Sequence, residues 1–176
     1  LRGGATIHEV NAVRKHLSRL KGGQLARLAS RARVVGLYVS DVPGDRLESI
    51  ASGPTAPDST TYADALRALE RHGLLARTPR AIVERLRLGL AGGAPETPKG
   101  DEPFWARVHS VIVASGGDGL DAARKRAEAL GLRVYVVPEL TGEAREVGAR
   151  LGALVRRIAR EGSPVSRVQW VERTVP

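Results

Sequence analysis

The sequence predicts an α/β fold, a Rossmann-like parallel sheet with helices on both faces. Two observations support this fold class. Short apolar runs rich in β-branched residues, typical of buried strands, alternate with longer segments whose apolar residues recur every three or four positions, typical of amphipathic helices. Because consecutive strands separated by helices usually lie parallel in one sheet, this order of elements favours a parallel sheet.

The predicted elements of the first part of the chain follow from apolar spacing and from Gly and Pro. Thr6 and Glu9 have the pattern of a capping box, and Lys21-Gly22-Gly23 ends the helix that they begin. The elements are helices over residues 7–20 and 24–31, a buried strand over 34–40 and an ordered loop over 41–58. A connection of that length inside a compact domain usually has a function.

The second part continues the alternation of helices and strands. Gly73 ends one predicted helix, Thr78-Pro79 begins the next, and Thr141 caps the last. The elements are helices over 60–72, 78–90, 120–130 and 142–160, strands over 108–114 and 132–137, a Gly-rich turn over 115–119 and an edge strand over 165–175. We expect one α/β domain over residues 1–176, with a mobile loop at about 91–103.

The composition is that of a folded globular protein. Of the 176 residues, 42% are hydrophobic and 27% are charged. The absence of cysteine excludes disulfides and thiolate metal sites. No apolar run reaches the roughly 18 residues of a membrane span, so we expect a cytoplasmic protein with no membrane partner. Because methionine is also absent, we expect that Leu1 is not a translation start.

The chain is strongly basic, with a net charge of +9 that comes mainly from arginine. A basic protein can bind nucleic acid through its phosphates. Here the arginines are spread along every predicted helix, and no set of aromatic residues offers a stacking platform for bases. We therefore expect an arginine-rich solvated surface, as in some thermophilic families, and no nucleic-acid partner.

Polar residues gather along one side of the first predicted helix. They are Asn11, Arg14, Lys15 and Ser18, with Lys21 just beyond. Spacing alone favours a solvated face, and the alternative is a clamp for a carboxylate or phosphate. The Gly-Gly pair before the next helix favours an anion site, since it leaves backbone N–H groups at a helix start.

Two carboxylates follow the first predicted strand. Asp41 and Asp45 flank a Val-Pro-Gly turn, and the carboxyl ends of parallel strands are where open α/β sheets bind ligands. The pair is suited to holding Mg²⁺ or accepting a hydroxyl proton, and equally to an ordinary turn stabilised by its own side chains. The sequence Ile-Ala-Ser-Gly-Pro-Thr at residues 50–55 then places Ser52, Gly53 and Thr55 near the same edge, in a loop stiffened by Pro54.

A rival pattern follows the second predicted strand. Gly117, Gly119 and Ala122 match the dinucleotide-binding fingerprint, and Glu139 lies about twenty residues further on. This pattern would indicate an NAD-dependent enzyme, or simply a Gly-rich turn between a strand and a helix. The four histidines, which are His8, His16, His72 and His109, have no metal-ligand spacing and are expected to be structural or surface groups.

Three motifs in order carry a resemblance to a known family. They are GATIHEVNAVRKHLSRLKGG at residues 4–23, SDVPGD at 40–45 and IASGPT at 50–55. The first resembles the class II glycerate kinases, the glycerate 2-kinase or MOFRL-type family, and the others follow at that family's spacing. Looser likeness extends to about residue 160 through ETPK at 96–99, the alternation of 108–137 and GEAREVG at 142–148.

The resemblance implies ATP-dependent phosphorylation of the 2-hydroxyl of D-glycerate, with ATP and Mg²⁺ as cofactors. Family members place their active site between a Rossmann-like domain and a smaller second domain. Binding of substrate or phosphates would fall to Asn11, Arg14, Lys15, Ser18, Ser52, Gly53, Pro54 and Thr55. The catalytic candidates are Lys21, Asp41 and Asp45, of which the two aspartates would also hold the metal. Ser115, Gly116 and Gly117 stand where the family usually has an Asn, and they are the nucleotide-binding candidates.

The resemblance also implies an incomplete pattern. The family's Gly- and Ser-rich loop would precede residue 1, and a Gly-Gly-Glu-Thr-Thr segment would follow near residue 163. We therefore expect the larger part of the family's α/β domain, and we leave open whether it is active by itself. Expected partners are a small-molecule substrate and, as one possible assembly, a second copy of the chain. The alternatives are an NAD(P)H-dependent hydroxypyruvate reductase, a label often given to this family, and a non-catalytic α/β binding remnant.

Overall fold

The computed structural model describes residues 4–132, 134, 136, 140 and 142–161. Its internal contacts divide into two compact units, Leu1–Gly119 and Leu120–Pro176. The helices are α1 Ile7–Leu17, α2 Gln24–Leu28, α3 Tyr62–Arg71, α4 Arg80–Leu90, α5 Gly116–Ala129 and α6 Ala144–Glu161, and the strands are β1 Val34–Val39 and β2 Val108–Ala114. Short 3-10 turns lie at Pro43–Asp45, Ile50–Ser52, Leu75–Arg77 and Pro103–Arg107. The single domain remains a prediction.

Most predicted elements are confirmed, with differences at their ends. Helix α1 ends three residues before the predicted position, because Ser18 adopts an extended backbone. Helix α5 begins at Gly116, so the predicted Gly-rich turn over 115–119 is wrong and its glycines form the first turn of the helix. The predicted strand over 132–137, the Thr141 cap, Glu139 and the edge strand over 165–175 fall wholly or in part outside the described residues.

The two strands pair in parallel, which confirms the predicted sheet type. Val34 lies opposite Val108, and Ser40 donates its N–H to the carbonyl of Ala114 at 2.8 Å just beyond β1. Burial on both faces is not observed, because every second residue of β1 is exposed. The exposed apolar side chains of this face, between 49% and 75% accessible, are Val35, Leu37, Val39, Val111 and Val113.

The core of the first unit lies among helices. Helices α1, α3 and α4 pack together, and α1 makes its largest set of contacts with α3. Burying these apolar side chains supplies the main stabilising term of the unit. The buried members are Tyr62, Ala65, Leu66, Leu69, Leu86 and Ala94, with Val13, Leu74, Leu75 and Ile82 packed against them.

The N-terminus of α1 is joined to the C-terminus of α3. The predicted capping box is confirmed, because Glu9 accepts the Thr6 N–H at 2.9 Å and Thr6 accepts the Glu9 N–H at 3.2 Å. Glu9 also accepts hydrogen bonds from Arg71 at 2.8 Å and His72 at 3.1 Å. The Thr6 N–H, followed by His72, lowers the pKa of the Glu9 carboxyl to about 2.

Helix α1 buries polar residues and exposes apolar ones. Ile7 and Leu17 are 51% and 39% exposed, whereas Asn11, Lys15 and His16 are at most 7% exposed. The interpretation of this polar side as a solvated face is therefore wrong for Asn11 and Lys15. Buried polar groups need partners, and those partners lie in the loop that follows β1 and in the segment that follows α4.

The segment predicted to be mobile is anchored in its second half. Thr97 and Pro98 are among the most deeply buried side chains, and the Glu96 carbonyl accepts a hydrogen bond from Arg27 at 2.8 Å. Mobility of residues 91–103 remains a prediction. The described helices contain no stretch with both the length and the apolar character that crossing a bilayer requires.

Candidate functional site

The Lys-Gly-Gly segment and the loop at residues 50–55 are joined through their backbones. Gly22 donates to the Ser52 carbonyl at 2.9 Å, and Gly23 donates to the Gly53 carbonyl at 2.7 Å. The Ala26 N–H reaches the Pro54 carbonyl at 3.3 Å. The sequence suggested that these N–H groups bind an anion. In the structure they bind the carbonyls of the loop. They fix the loop against the start of α2.

Three consecutive loop residues have a left-handed backbone. Ala51, Ser52 and Gly53 have φ angles of 51°, 63° and 62°. Left-handed conformations are unfavourable for residues with a Cβ, and they occur often at binding and catalytic sites, where surrounding contacts hold them. Here the carbonyls bound by the Lys-Gly-Gly segment supply those contacts. The strain marks this loop as the strongest candidate for a functional element in the first unit.

Side chains of the first motif reinforce the loop. The Ser52 hydroxyl donates to Asn11 Oδ1 at 3.1 Å, and both residues are buried. Lys21, which is half-buried, donates from Nζ to the carbonyl of the exposed Ala51 at 3.2 Å. The structure thus brings together the predicted residues Asn11, Lys21, Ser52, Gly53 and Pro54. Thr55 continues the loop toward the sheet, since its hydroxyl is hydrogen-bonded to Tyr38 of β1.

A glycine comparison tests whether this loop is held rigidly. We expect Gly53→Ala to lower the free energy of unfolding far more than Gly44→Ala. Both glycines have positive φ, but a Cβ at Gly53 would lie 2.9 Å from the Glu48 carbonyl oxygen, whereas one at Gly44 meets nothing within 4 Å. The control should show only the left-handed conformational cost, about 1–2 kcal/mol. Chemical denaturation of both variants measures the difference. Equal losses of unfolding free energy would mean that the loop shifts to accommodate the added methyl group.

A buried ion pair lies behind the loop, and the sequence did not predict it. Lys15 Nζ is 3.0 Å from Asp58 Oδ1, with the two side chains 5% and 0% exposed. Burial alone would raise the pKa of Asp58, but the Thr60 N–H and the Lys15 ammonium hold it below its usual value. Gly22 is required beside the pair, since a Cβ there would lie 3.1 Å from Asp58 Oδ2. Lys15 therefore organises the interior and is not placed to bind a ligand.

Lys99, from the ETPK segment, completes this cluster. Its ammonium donates to the carbonyls of Asp58 and Thr60 and to the Thr97 hydroxyl, the first at 3.0 Å and the last at 2.9 Å. The ETPK motif was the only sequence signal for Lys99. No local spacing could have paired Lys15 with Asp58, because 43 residues separate them.

Arg14 and Ser18 do not join the loop. Arg14 is exposed and borders an apolar groove of about 190 Å³ between α1 and α3, lined also by Val10 and Leu69. Ser18 lies after the end of α1, where its hydroxyl accepts the N–H groups of Leu20 and Lys21, both at 3.2 Å. Ser18 therefore shapes the turn toward the Lys-Gly-Gly segment. The early end of α1 removes it from the predicted helix face.

Asp41 and Asp45 lie at the carboxyl edge of the sheet, as predicted. Asp41 is exposed immediately after the buried Ser40, and Asp45 has a positive φ of 51°. Among the described residues, no group of three His, Cys, Asp or Glu side chains could hold a metal by itself. Mg²⁺ commonly takes one or two protein carboxylates together with substrate phosphates, and the metal-binding role of Asp41 and Asp45 stays a prediction.

The strand-to-helix junction at Ser115 is occupied by a side-chain carboxylate. Asp118 accepts the Ser115 N–H at 2.8 Å and the Ser115 hydroxyl at 2.7 Å, so a carboxylate already caps α5. A second anion there would be repelled by this carboxylate. Gly116, Gly117, Gly119 and Ala122 all lie inside the helix. The nucleotide-binding role of Ser115, Gly116 and Gly117 and the dinucleotide fingerprint therefore gain no support.

An open cleft of about 440 Å³ lies between the loop and the sheet. It is lined by Leu47, Glu48, Thr55, Ala56, Pro57, Gly100, Trp105, Val108 and Ser110. Of the predicted site residues in the described chain, only Thr55 contributes to it. The cleft is therefore adjacent to the strained loop, but it is distinct from the carboxylates and from the polar side of α1.

Comparison with known proteins identifies relatives along most of the chain. A family model described as a domain of unknown function, DUF4147, matches residues 1–87. A glycerate 2-kinase of Pyrococcus horikoshii is 42% identical over 93% of this chain and 37% of its own length. A D-glycerate 2-kinase of Thermotoga maritima is 36% identical over 95% of this chain and 37% of its own. An Agrobacterium vitis protein named putative hydroxypyruvate reductase is 41% identical over 94% of this chain and 36% of its own length.

A solved structure agrees with the sequence relationship. The crystal structure of a glycerate kinase from Thermotoga maritima is similar with a TM-score of 0.65 at 35% identity, over 93% of this chain and 36% of that one. The predicted α/β fold with a parallel sheet is confirmed by this likeness. The chain therefore belongs to the glycerate kinase family, and it spans a little over a third of the length of these relatives.

Proposed function

We propose that this chain contributes to ATP-dependent phosphorylation of D-glycerate at its 2-hydroxyl. One observation carries the proposal: 93% of the chain matches a glycerate 2-kinase at 42% identity, and the matched stretch includes the strained loop and both carboxylates. A second relative is named for the D enantiomer, which supports the choice of D-glycerate. Nucleotide and acceptor are both small molecules.

In the proposed reaction, one carboxylate accepts the hydroxyl proton and a metal ion neutralises the phosphate charge. The 2-hydroxyl oxygen of glycerate attacks the γ-phosphorus of ATP, its proton passes to the Asp41 carboxylate, and the bond from the γ-phosphorus to the bridging oxygen breaks to release ADP. Asp41 is exposed and lies at the carboxyl end of β1, so a substrate can reach it. Mg²⁺, held by Asp41 or Asp45, would neutralise charge on the phosphates.

The charged and polar groups of the first motif are proposed to bind substrate. Lys21 is half-buried and lies against the carbonyl of the exposed Ala51, where its ammonium is suited to a carboxylate or phosphate. Asn11 uses its amide oxygen for Ser52, which leaves its NH₂ group as the donor for a substrate oxygen. Positioning and charge neutralisation are the main contributions that proteins make to phosphoryl transfer.

Phosphorus NMR tests the proposal directly. The chain is mixed with ATP, Mg²⁺ and D-glycerate, beside a chimera in which it replaces the matching stretch of the Thermotoga maritima relative. A 2-phosphoglycerate signal from either protein supports the kinase, and a signal from the chimera alone locates part of the site in the rest of that relative. Absence of product from both, with circular dichroism showing both folded, contradicts the proposal.

Hydroxypyruvate reduction is the second candidate, because one relative is named for it at 41% identity. The glycines that favoured a dinucleotide site lie inside α5, which weakens this candidate. The same two proteins are therefore mixed with hydroxypyruvate and NADH, and then NADPH. Oxidation of either nucleotide, without any phosphoryl transfer, would favour the reductase.

A further inference from the structure

His16 is a buried histidine that the proposed reaction does not use. It is 4% exposed, and its imidazole lies 4.6 Å from the Tyr62 ring, centroid to centroid. Both ring nitrogens have close partners: Nδ1 is 2.7 Å from the Ala12 carbonyl oxygen, and Nε2 is 2.7 Å from Glu96 Oε1. A reversed ring would place carbon atoms at these distances, which are too short for C–H contacts with oxygen.

The two partners determine which protons the ring carries. A backbone carbonyl only accepts hydrogen bonds, so Nδ1 must carry a proton. A neutral imidazole has a single N–H, so Nε2 would then hold a lone pair facing an oxygen of Glu96. Either His16 is doubly protonated, or Glu96 carries the proton.

The surroundings of Glu96 favour the carboxylate. Its Oε1 accepts the Thr97 N–H at 2.8 Å, and its Oε2 accepts the Tyr62 N–H at 3.1 Å. Burial would raise the pKa of Glu96, but the N–H groups of Thr97 and Tyr62, with a smaller contribution from Lys99, hold it below its usual value. A carboxyl group whose two oxygens both accept N–H bonds is stabilised as the anion.

Other polar and charged groups of neighbouring elements lie near the pair. Arg27 of α2 donates to the Glu96 carbonyl at 2.8 Å, and the Tyr62 hydroxyl of α3 donates to the Pro95 carbonyl at 3.2 Å. Lys99 lies in the same segment, and Lys15 is neutralised by Asp58. Only the Glu96 carboxylate, of the described groups, directly contacts Nε2.

We propose that His16 and Glu96 form an imidazolium–carboxylate clasp, with the imidazole buried and the carboxylate half-buried, which makes one proton part of the folded structure. The clasp fixes the 94–99 segment against α1 and α3. Since Lys99 of that segment bonds Asp58 and Thr60, the clasp also positions the cluster behind the strained loop. This inference concerns the fold of the first unit and stands whether or not the chain phosphorylates glycerate.

A proton-dependent clasp makes stability fall as the pH rises. A histidine in an unfolded chain releases its proton near pH 6.5. Above that pH the folded protein holds one proton more than the unfolded one, so the free energy of unfolding decreases with increasing pH. The unfolding equilibrium constant should increase by up to about tenfold per pH unit while the clasp stays closed.

Nitrogen-15 NMR of the histidine rings in the intact chain reads the protonation directly. The His16 signals are identified by elimination with His8→Gln, His72→Gln and His109→Gln. At about pH 7.5, above the ordinary histidine range, we expect both His16 nitrogens to show attached protons. A spectrum with one protonated and one lone-pair nitrogen overturns the proposal, and this readout needs no change at the clasp itself.

Glu96→Gln provides the matched variant. Its amide can donate to a lone pair on Nε2, so the ring should become neutral at the same pH, and the pH dependence of unfolding should lose the component described above. Urea unfolding between about pH 6 and 9 compares the two proteins. If the wild-type and Glu96→Gln curves keep the same slope against pH, the clasp carries no linked proton and the proposal fails.

Discussion

Asp41→Asn is expected to abolish phosphorylation of D-glycerate in whichever of the two proteins, chain or chimera, turns over. An amide cannot accept the 2-hydroxyl proton, and it is a weaker ligand for Mg²⁺. Loss of a positioned general base typically lowers the rate by roughly 10²- to 10⁴-fold. The effect should appear in kcat/KM measured from ADP release, without a change in the circular dichroism spectrum, because Asp41 is exposed.

Two further carboxylates serve as comparisons for Asp41. Asp45→Asn tests the second member of the pair, and Asp101→Asn replaces another exposed aspartate outside the candidate site. We expect the Asp101 variant to keep full activity. An unchanged rate for Asp41→Asn would remove Asp41 from the mechanism, and a loss confined to Asp45→Asn would transfer the proton-accepting role to Asp45.

Lys15→Met is expected to lower the free energy of unfolding by about 3–5 kcal/mol, the usual loss when one member of a buried ion pair is removed. Methionine keeps much of the side-chain volume, so the loss comes from the charge left on Asp58, whose side chain is fully buried. Chemical denaturation measures the change. Acidic pH should reduce the loss, because protonation of Asp58 removes the uncompensated charge.

Matched variants separate charge from packing at this pair. Lys125→Met removes an exposed lysine that lies 2.7 Å from Asp121, and it should change stability by less than about 1 kcal/mol. Adding Asp58→Asn to Lys15→Met should recover part of the loss, since no buried charge remains. A Lys15→Met loss no larger than that of Lys125→Met would mean that water reaches Asp58 and that the pair is not buried in solution.

Local sequence signals predicted helices and strands well where their physical cause is local. The Thr6–Glu9 box and Gly73 mark helix ends because capping bonds and left-handed residues act within one turn. Strand β2 was predicted to the residue, from a β-branched run bounded by a change in composition. The turn predicted over 115–119 was wrong, because Asp118 supplies a cap that outweighs the low helix propensity of the glycines.

The candidate site was predictable only in part. The order of the motifs predicted that Asn11, Lys21 and the loop at 50–55 belong to one site. The structure connects them by hydrogen bonds. Amphipathic spacing failed on α1, since it assigned Asn11 and Lys15 to solvent although both are buried. Periodicity records which side of a helix is polar, but it does not record whether that side faces water or buried partners.

The sequence by itself determined the fold class, the family and the short motifs, because these depend on residues close together along the chain. Only the tertiary structure decided that Lys15 forms an ion pair with Asp58, that His16 bonds Glu96, and that the Lys-Gly-Gly N–H groups bind the loop carbonyls. Such pairs join residues 30 to 80 positions apart. Their partners are chosen by the desolvation of buried polar groups, which acts only once the chain has folded around them.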